Sequence, residues 1–231
     1  SSDLSFLNSR SNSKINLKGY SYEFGFLYQK KIEEEKDISF GLTANNNSVI
    51  RAKRNKLIET FEYSGAYEIP KDTVLNSTEW GDVILPQYIS AGVSYRDGQK
   101  WLFIADYSLQ NWADYRLFDE SDNLNNSMRI SGGVEYIPEY NSVTKYYKRI
   151  QYRIGTAYSR TPLQFDENQL SERSISFGFG IPVRKSRTKY DISVILGQRG
   201  TVEDNLIQED FVKLGFSVSY DGIWFVKRKY D

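Results

Sequence analysis

The chain has 231 residues, with 30 basic residues against 30 acidic ones and neither cysteine nor histidine. Those absences exclude a disulfide framework, thiol chemistry, Ser–His–Asp or Cys–His catalysis and any His-ligated metal. The balanced charge gives no reason to expect nucleic acid as a partner. An enzyme is therefore not expected, and neither a cofactor nor a metal is implied. The chain is nonetheless aromatic, with 18 Tyr and 13 Phe, and it holds only 5 Pro. No stretch approaches the roughly 18–20 apolar residues of a membrane helix. A β-barrel in lipid needs apolar residues on one face only, so a modest apolar fraction is compatible with one.

Taken in chain order, the first alternating segment sets Tyr20, Tyr22, Phe24, Phe26 and Tyr28 against Ser21, Glu23, Gly25, Leu27 and Gln29. Weaker alternation follows over residues 38–44 and 89–95. Trp101, Phe103, Ala105, Tyr107 and Leu109 then alternate with Leu102, Ile104, Asp106, Ser108 and Gln110, and another weak segment spans 128–136. Ile150, Tyr152, Ile154 and Tyr158 alternate with Gln151, Arg153, Gly155 and Ser159. Ile175, Phe177, Phe179 and Ile181 alternate with Ser176, Gly178 and Gly180, and Tyr190, Ile192, Val194 and Leu196 with Asp191, Ser193 and Gly197. The clearest segment is the last, where Val212, Leu214, Phe216, Val218 and Tyr220 alternate with Lys213, Gly215, Ser217 and Ser219.

Successive strand side chains point to opposite faces, so each segment presents one apolar and one small or polar face. The pattern predicts about nine antiparallel strands of an all-β transmembrane barrel, with 1–231 forming one domain. Phe24, Phe26, Phe177, Phe179, Val212, Leu214, Phe216 and Val218 are the expected lipid-facing residues. Aromatics near strand ends, among them Tyr20, Trp101, Tyr152 and Tyr190, read as an interfacial girdle. A soluble β-sandwich also alternates, but its outward faces are charged, whereas the polar positions here are rich in Gly and Ser.

Short links at 33–37, 96–100 and 184–188 alternate with long polar ones at 62–83, 115–126, 161–169 and 200–209, with a medium link at 139–146. Barrels show this asymmetry, with short periplasmic turns and long outer loops. It implies an outer-membrane location with a periplasmic C-terminus. An odd strand count then places Ser1 outside the cell, so the sequence reads as the C-terminal portion of a larger barrel whose N-terminal strands and plug are missing.

Leu27, Leu102, Ile104 and Ile195 fall on the nominally lumenal face and suggest a greasy conduit. Asp119, Glu120 and Asp122 offer hard oxygens, but the glycine and terminal Glu of a calcium loop are absent, and a solvated loop is the better reading. Arg51, Lys53, Arg54 and Lys56 form a basic run suited to lipopolysaccharide phosphates, with a merely solvated run as the competing reading. Lys227, Arg228 and Lys229 form a basic tail.

Several of these segments resemble those of FadL-type long-chain fatty-acid transporters. The similarity lies in LPQYISAGVSYRDGQKWLFIADYSLQNWADY (85–115), YRIGTAYSRTPL (152–163), SISFGFGIPV (174–183) and VKLGFSVSY (212–220), with YEFGFLYQ (22–29) upstream. They keep the family's order and spacing, and the Lys/Tyr-rich character resembles members from Bacteroidota. The resemblance implies a barrel of fourteen strands and passive uptake of fatty-acid or hydrocarbon molecules. The partners it implies are the lipid bilayer, lipopolysaccharide and a hydrophobic ligand. The alternative is a non-transporting barrel that serves as a scaffold subunit of an outer-membrane protein complex.

Overall fold

The computed structural model describes residues 7–220, except 166, 167, 185, 187, 204 and 205. The basic tail at Lys227, Arg228 and Lys229 lies outside the described residues. In chain order the strands begin with β1 (Asn8–Lys18), β2 (Glu23–Glu33), β3 (Lys36–Asn45), β4 (Ser48–Ser64), β5 (Tyr67–Leu85) and β6 (Tyr88–Asp97). There follow β7 (Trp101–Gln110), β8 (Arg116–Leu117), β9 (Ser127–Tyr136), β10 (Gln151–Phe165), β11 (Asn168–Pro182), β12 (Lys189–Arg199) and β13 (Glu209–Ser219). Two short 3-10 turns, Trp112–Asp114 and Tyr146–Arg149, lie in the connections after β7 and β9.

Nine strands form one antiparallel sheet in the order β13-β12-β11-β10-β9-β7-β6-β3-β2. Neighbours in this sheet are sequence neighbours except where β4 and β5 leave it between β3 and β6, and where β8 lies between β7 and β9. The register keeps like with like: Leu214 lies opposite Val194, Val194 opposite Phe177, and Phe177 opposite Ile154. A slip of one residue would turn every one of these side chains to the other face, so the alternating pattern excludes such slips.

The same sheet separates two environments. On β11, Ile175, Phe177 and Phe179 are exposed, whereas Glu172, Ser174 and Ser176 are half-buried and Gly178 and Gly180 are buried. Crowding of this kind belongs to the concave side of a curved sheet, so the polar and small residues line the inside of a half-barrel. On one edge of the sheet the connections are short, as at 34–35, 98–100 and 183–188. The opposite edge carries the whole β4–β5 excursion and the 111–126 connection, while the longer 137–150 link lies on the first edge.

β1, β4, β5 and β8 build a second, open sheet in that order. Its core is small: Ala52, Val83 and Phe118 are buried, with Leu85, Tyr115 and Leu117 packed around them. The chain reaches this core from the β7–β9 connection. Two consecutive residues in the left-handed region, Phe118 (φ 55) and Asp119 (φ 64), turn the Phe118 ring inward. The Phe118 N–H donates to the Asp82 carbonyl at 2.9 Å. Such backbone is uncommon for a bulky side chain and persists where surrounding packing over-determines it. Gly81 makes the room, because a Cβ there would stand 2.4 Å from the Phe118 ring.

The expectation of one fourteen-strand transmembrane barrel is corrected by this topology. The described residues are antiparallel β in two sheets, one a half-barrel and one open, and do not form a closed cylinder. Among the described residues, β2 and β13 are the two edges of the nine-stranded sheet and do not pair with each other. The stretch at 62–83, expected as a loop, instead supplies most of β5 and the end of β4. Both faces of this hairpin are largely polar, so it lacks the one-sided apolar alternation that marks a half-buried strand.

Candidate functional site

The first candidate surface is the apolar face of the nine-stranded sheet. It runs without a break through Phe26, Phe40, Val93, Phe103, Val134, Ile154, Phe177, Val194 and Leu214. All eight residues expected to face lipid, Phe24, Phe26, Phe177, Phe179, Val212, Leu214, Phe216 and Val218, lie on this face and are exposed; Leu214 is 80% exposed. At ~4.8 Å between strands and ~3.3 Å per residue, the band is roughly 40 Å around and 20 Å along. That is on the order of 800 Å², beyond the few hundred Å² of apolar patch usual on a soluble monomer.

Along the short-connection edge the band ends in stacked aromatics. The Trp101 ring lies 4.3 Å from Tyr136 and 5.8 Å from Phe103, and Tyr190 stacks on Phe216 at 6.2 Å. At its other limit stand Arg160, Arg173, Gln198 and Asp210.

The concave face has the opposite character. Arg153 of β10 donates from Nε to Glu135 of β9 at 2.6 Å and from Nη1 to Asp191 of β12 at 2.7 Å. It also donates to Gln151, which accepts from Lys189 as well. Three strands, β9, β10 and β12, are thereby tied across the interior, with the contact to Asp191 passing over the intervening β11 at Gly180 and Gly178. Toward the long-connection edge, Arg199 Nη2 donates to Glu172 at 2.7 Å on the same face. Sequence reading did not single out these residues. Their signal is charge at inward positions of otherwise alternating strands, and only the register shows that the charges meet.

Leu27, Leu102, Ile104 and Ile195 are on this concave face, but they are dispersed. Leu27 lies opposite Gly41, and Leu102 is flanked by Arg96 and Glu135. Ile104 sits between Ser94 and Gly133, and Ile195 between Ser176 and Lys213. Leu27 and Ile104 share a shallow groove with Gly41, Gly92 and Asp106. Ile195, on β12, is separated from the β7 pair by β9, β10 and β11.

The basic run Arg51–Lys56 is split by the strand it forms. Arg54 packs its guanidinium 4.3 Å from the centre of the Phe118 ring and donates to Glu79 at 2.6 Å. Lys56 shares the face of Arg54, whereas Arg51 and Lys53 point to the opposite one. The acidic residues Asp119, Glu120 and Asp122 do not gather, and among the described residues no cluster of carboxylates could hold a metal ion. In the link between β9 and β10, Lys148 donates to Glu139 at 2.8 Å. This bond, with the attraction of the ammonium, holds the Glu139 carboxyl below the usual glutamate range.

Among solved structures the chain is similar to a chain described as the CymD monoaromatic hydrocarbon channel, at 15% identity and a TM-score of 0.44. The likeness covers 77% of this chain and 46% of that one, so this chain spans less than half the length of the channel. A likeness of that strength carries no argument about transport. A comparison with curated proteins finds no match.

The BamG family model, in contrast, matches residues 2–231. The match overturns the FadL-type resemblance and, with it, the expectation of passive fatty-acid or hydrocarbon uptake by a porin-like lipid transporter. It carries general outer-membrane or periplasmic association, and no enzymatic activity. Matched over all but its first residue, the chain belongs to the BamG family.

Proposed function

We propose that the chain is a non-transporting scaffold subunit of the BAM complex, seated at the outer membrane by the apolar face of its nine-stranded sheet. The observation that carries this reading is the contrast between the two faces of one sheet. The outer face offers a continuous apolar band with an aromatic border, which suits contact with bilayer hydrocarbon. The inner face is bridged by Arg153, Glu135 and Asp191. A hydrophobic solute on that side would meet half-buried charges whose desolvation costs several kcal/mol per ion.

In this reading the apolar residues Leu27, Leu102, Ile104 and Ile195 form no continuous conduit, and the short-connection edge faces the periplasm. β13 ends on that edge, since Ser219 pairs with Lys189 just after the 183–188 turn, which supports a periplasmic side for the C-terminal end of the strand. The open sheet of β1, β4, β5 and β8 then rises from the outward edge, at the level where lipopolysaccharide headgroups lie.

The test compares a depletion strain with wild type. Scaffold function predicts a fall in the abundance of other outer-membrane barrels, with uptake of long-chain and aromatic hydrocarbons unchanged. It also predicts that the tagged protein recovers BAM subunits from solubilised outer membranes. Normal barrel levels together with failed recovery of any BAM subunit would overturn the reading.

A further inference from the structure

The open sheet sorts its charges in a way that the sequence conceals. On the face of β4 opposite Ala52 and Arg54, Arg51 lies beside Lys18 of β1, Lys53 beside Asn16, and Asn55 beside Lys14. On the other flank of β4, Arg51 is paired with Asp82 and Lys53 with Trp80. Four cations from two strands thus share one face with a tryptophan that is 69% exposed, and Lys53 stands 5.2 Å over its ring. Lys14, Lys18 and Arg51 are exposed, and none of the four cations forms an ion pair among the described residues.

Elsewhere on this sheet three cations are consumed internally. Arg10 bonds Glu59 and Glu68, Lys71 bonds Glu62, and Arg54 bonds Glu79. The face toward the base of the hairpin thus gathers four cations without an ion pair among the described residues, whereas Lys56 stands on the opposite face of β4. Arg51 and Lys53 lie three and five residues beyond Ser48, or about 10 and 17 Å along the strand. Ser48 itself follows closely on Asn45, where β3 leaves the half-barrel. The apolar band of the half-barrel ends at this edge with Ala44 and Ile89.

We infer that this face of Lys14, Lys18, Arg51, Lys53 and Trp80 binds the phosphate groups of lipopolysaccharide. The inference rests on the outer-membrane seat proposed above. With the apolar band in hydrocarbon, the face lies in the headgroup layer, where anionic phosphates are dense and water is depleted. A guanidinium takes a phosphate through two parallel N–H donors, ammonium groups add point charges, and the indole suits the boundary between acyl chain and headgroup. Arg54 and Lys56, which complete the run in sequence, belong to the other face and take no part.

The experiment is co-sedimentation of the full chain with vesicles containing lipopolysaccharide, either intact or stripped of its lipid A phosphates. The K14Q/K18Q/R51Q/K53Q variant should bind intact vesicles about tenfold more weakly at low salt, and salt should narrow the gap by screening. A K56Q/K71Q control should bind as wild type does, and K14R/K18R/K53R, which keeps every charge, should retain binding. Each protein's thermal transition confirms that it is folded.

Equal binding by the quadruple variant, equal loss in the control, or indifference of the wild type to phosphate removal would each overturn the inference. Displacement of the wild type by millimolar inorganic phosphate would point to a free-anion site and overturn it too. If the quadruple variant keeps its lipid binding but loses BAM subunits, the face meets an acidic protein instead. Absence of the wild type from the outer-membrane fraction would sink the scaffold reading itself, separately from the phosphate result.

Discussion

Arg153 and Glu135 face each other across β10 and β9 at 2.6 Å, one residue from Tyr152 and Tyr136, which pair on the reverse face of the same two strands. One pair of neighbouring residues on each strand thus serves an ionic bridge inside and an aromatic border outside. Replacing Arg153 by Leu would leave Glu135 and Asp191 half-buried without their shared donor. The expected loss is about 1–3 kcal/mol of stability, read as a lower urea midpoint in detergent. Glu135→Leu added to Arg153→Leu should cost less than the sum of the single changes, because the second removes a charge already left unpaired. Strict additivity would show that the bridge is not a coupled unit.

The two faces of β13 make a second prediction. Leu214→Arg, in the middle of the apolar band, should cost about 2–4 kcal/mol if that face meets hydrocarbon. Ser217→Arg on the concave face lies opposite Asp191 and should cost little. Both are measured by unfolding in lipid bilayers. Equal tolerance of the two would argue that lipid does not cover this face.

Gly81 tests the anchor of the open sheet. An Ala there would place its Cβ 2.4 Å from the Phe118 ring, forcing that ring from its contacts with Ala52 and Val83. Overpacking of this kind costs typically 1–3 kcal/mol. The loss should be accompanied by greater proteolytic access to the β7–β9 connection, while the nine-stranded sheet keeps its own transition. Phe118→Ala should open the same cleavage sites by the reverse route, leaving a cavity rather than a clash.

Glu139 and Lys148 give a pH-dependent contact on the short-connection edge. The Glu139 carboxyl is held below its usual value, first by the Lys148 hydrogen bond and then by the charge of that ammonium. A depressed acid contributes stability that is complete above its unfolded pKa and is lost as pH falls through the lower folded value. Proteolysis of the 137–150 link should therefore rise only in acid, below the usual glutamate range. Lys148→Gln should move the carboxyl titration followed by NMR back up toward the usual glutamate range. An unchanged titration would mean that the pair does not form in solution.

The amino-acid sequence by itself determined the nine strands of the larger sheet and the face to which each residue belongs. Strict alternation, as in Val212, Leu214, Phe216 and Val218 against Lys213, Gly215 and Ser217, fixes which face each residue takes. The absence of His and Cys likewise narrowed the chemistry before any contact was known. The family lay beyond what such motifs carry: outward Leu and Phe alternating with inward Gly and Ser serve any membrane-facing sheet, whatever its inside does.

What only the tertiary structure decided were the relations between distant residues. The β4–β5 hairpin is polar on both sides, so no periodic signal marks it, and β1 joins it only by pairing 33 to 53 positions away in sequence. Lys14 and Lys18 come beside Arg51 and Lys53 through that pairing, while Arg54, adjacent to Lys53 in sequence, is turned to the opposite face. The Arg153–Glu135–Asp191 bridge likewise requires three strands in register. Alternation along one chain segment fixes which side a residue faces, but only the hydrogen-bonded ladder fixes what stands beside it.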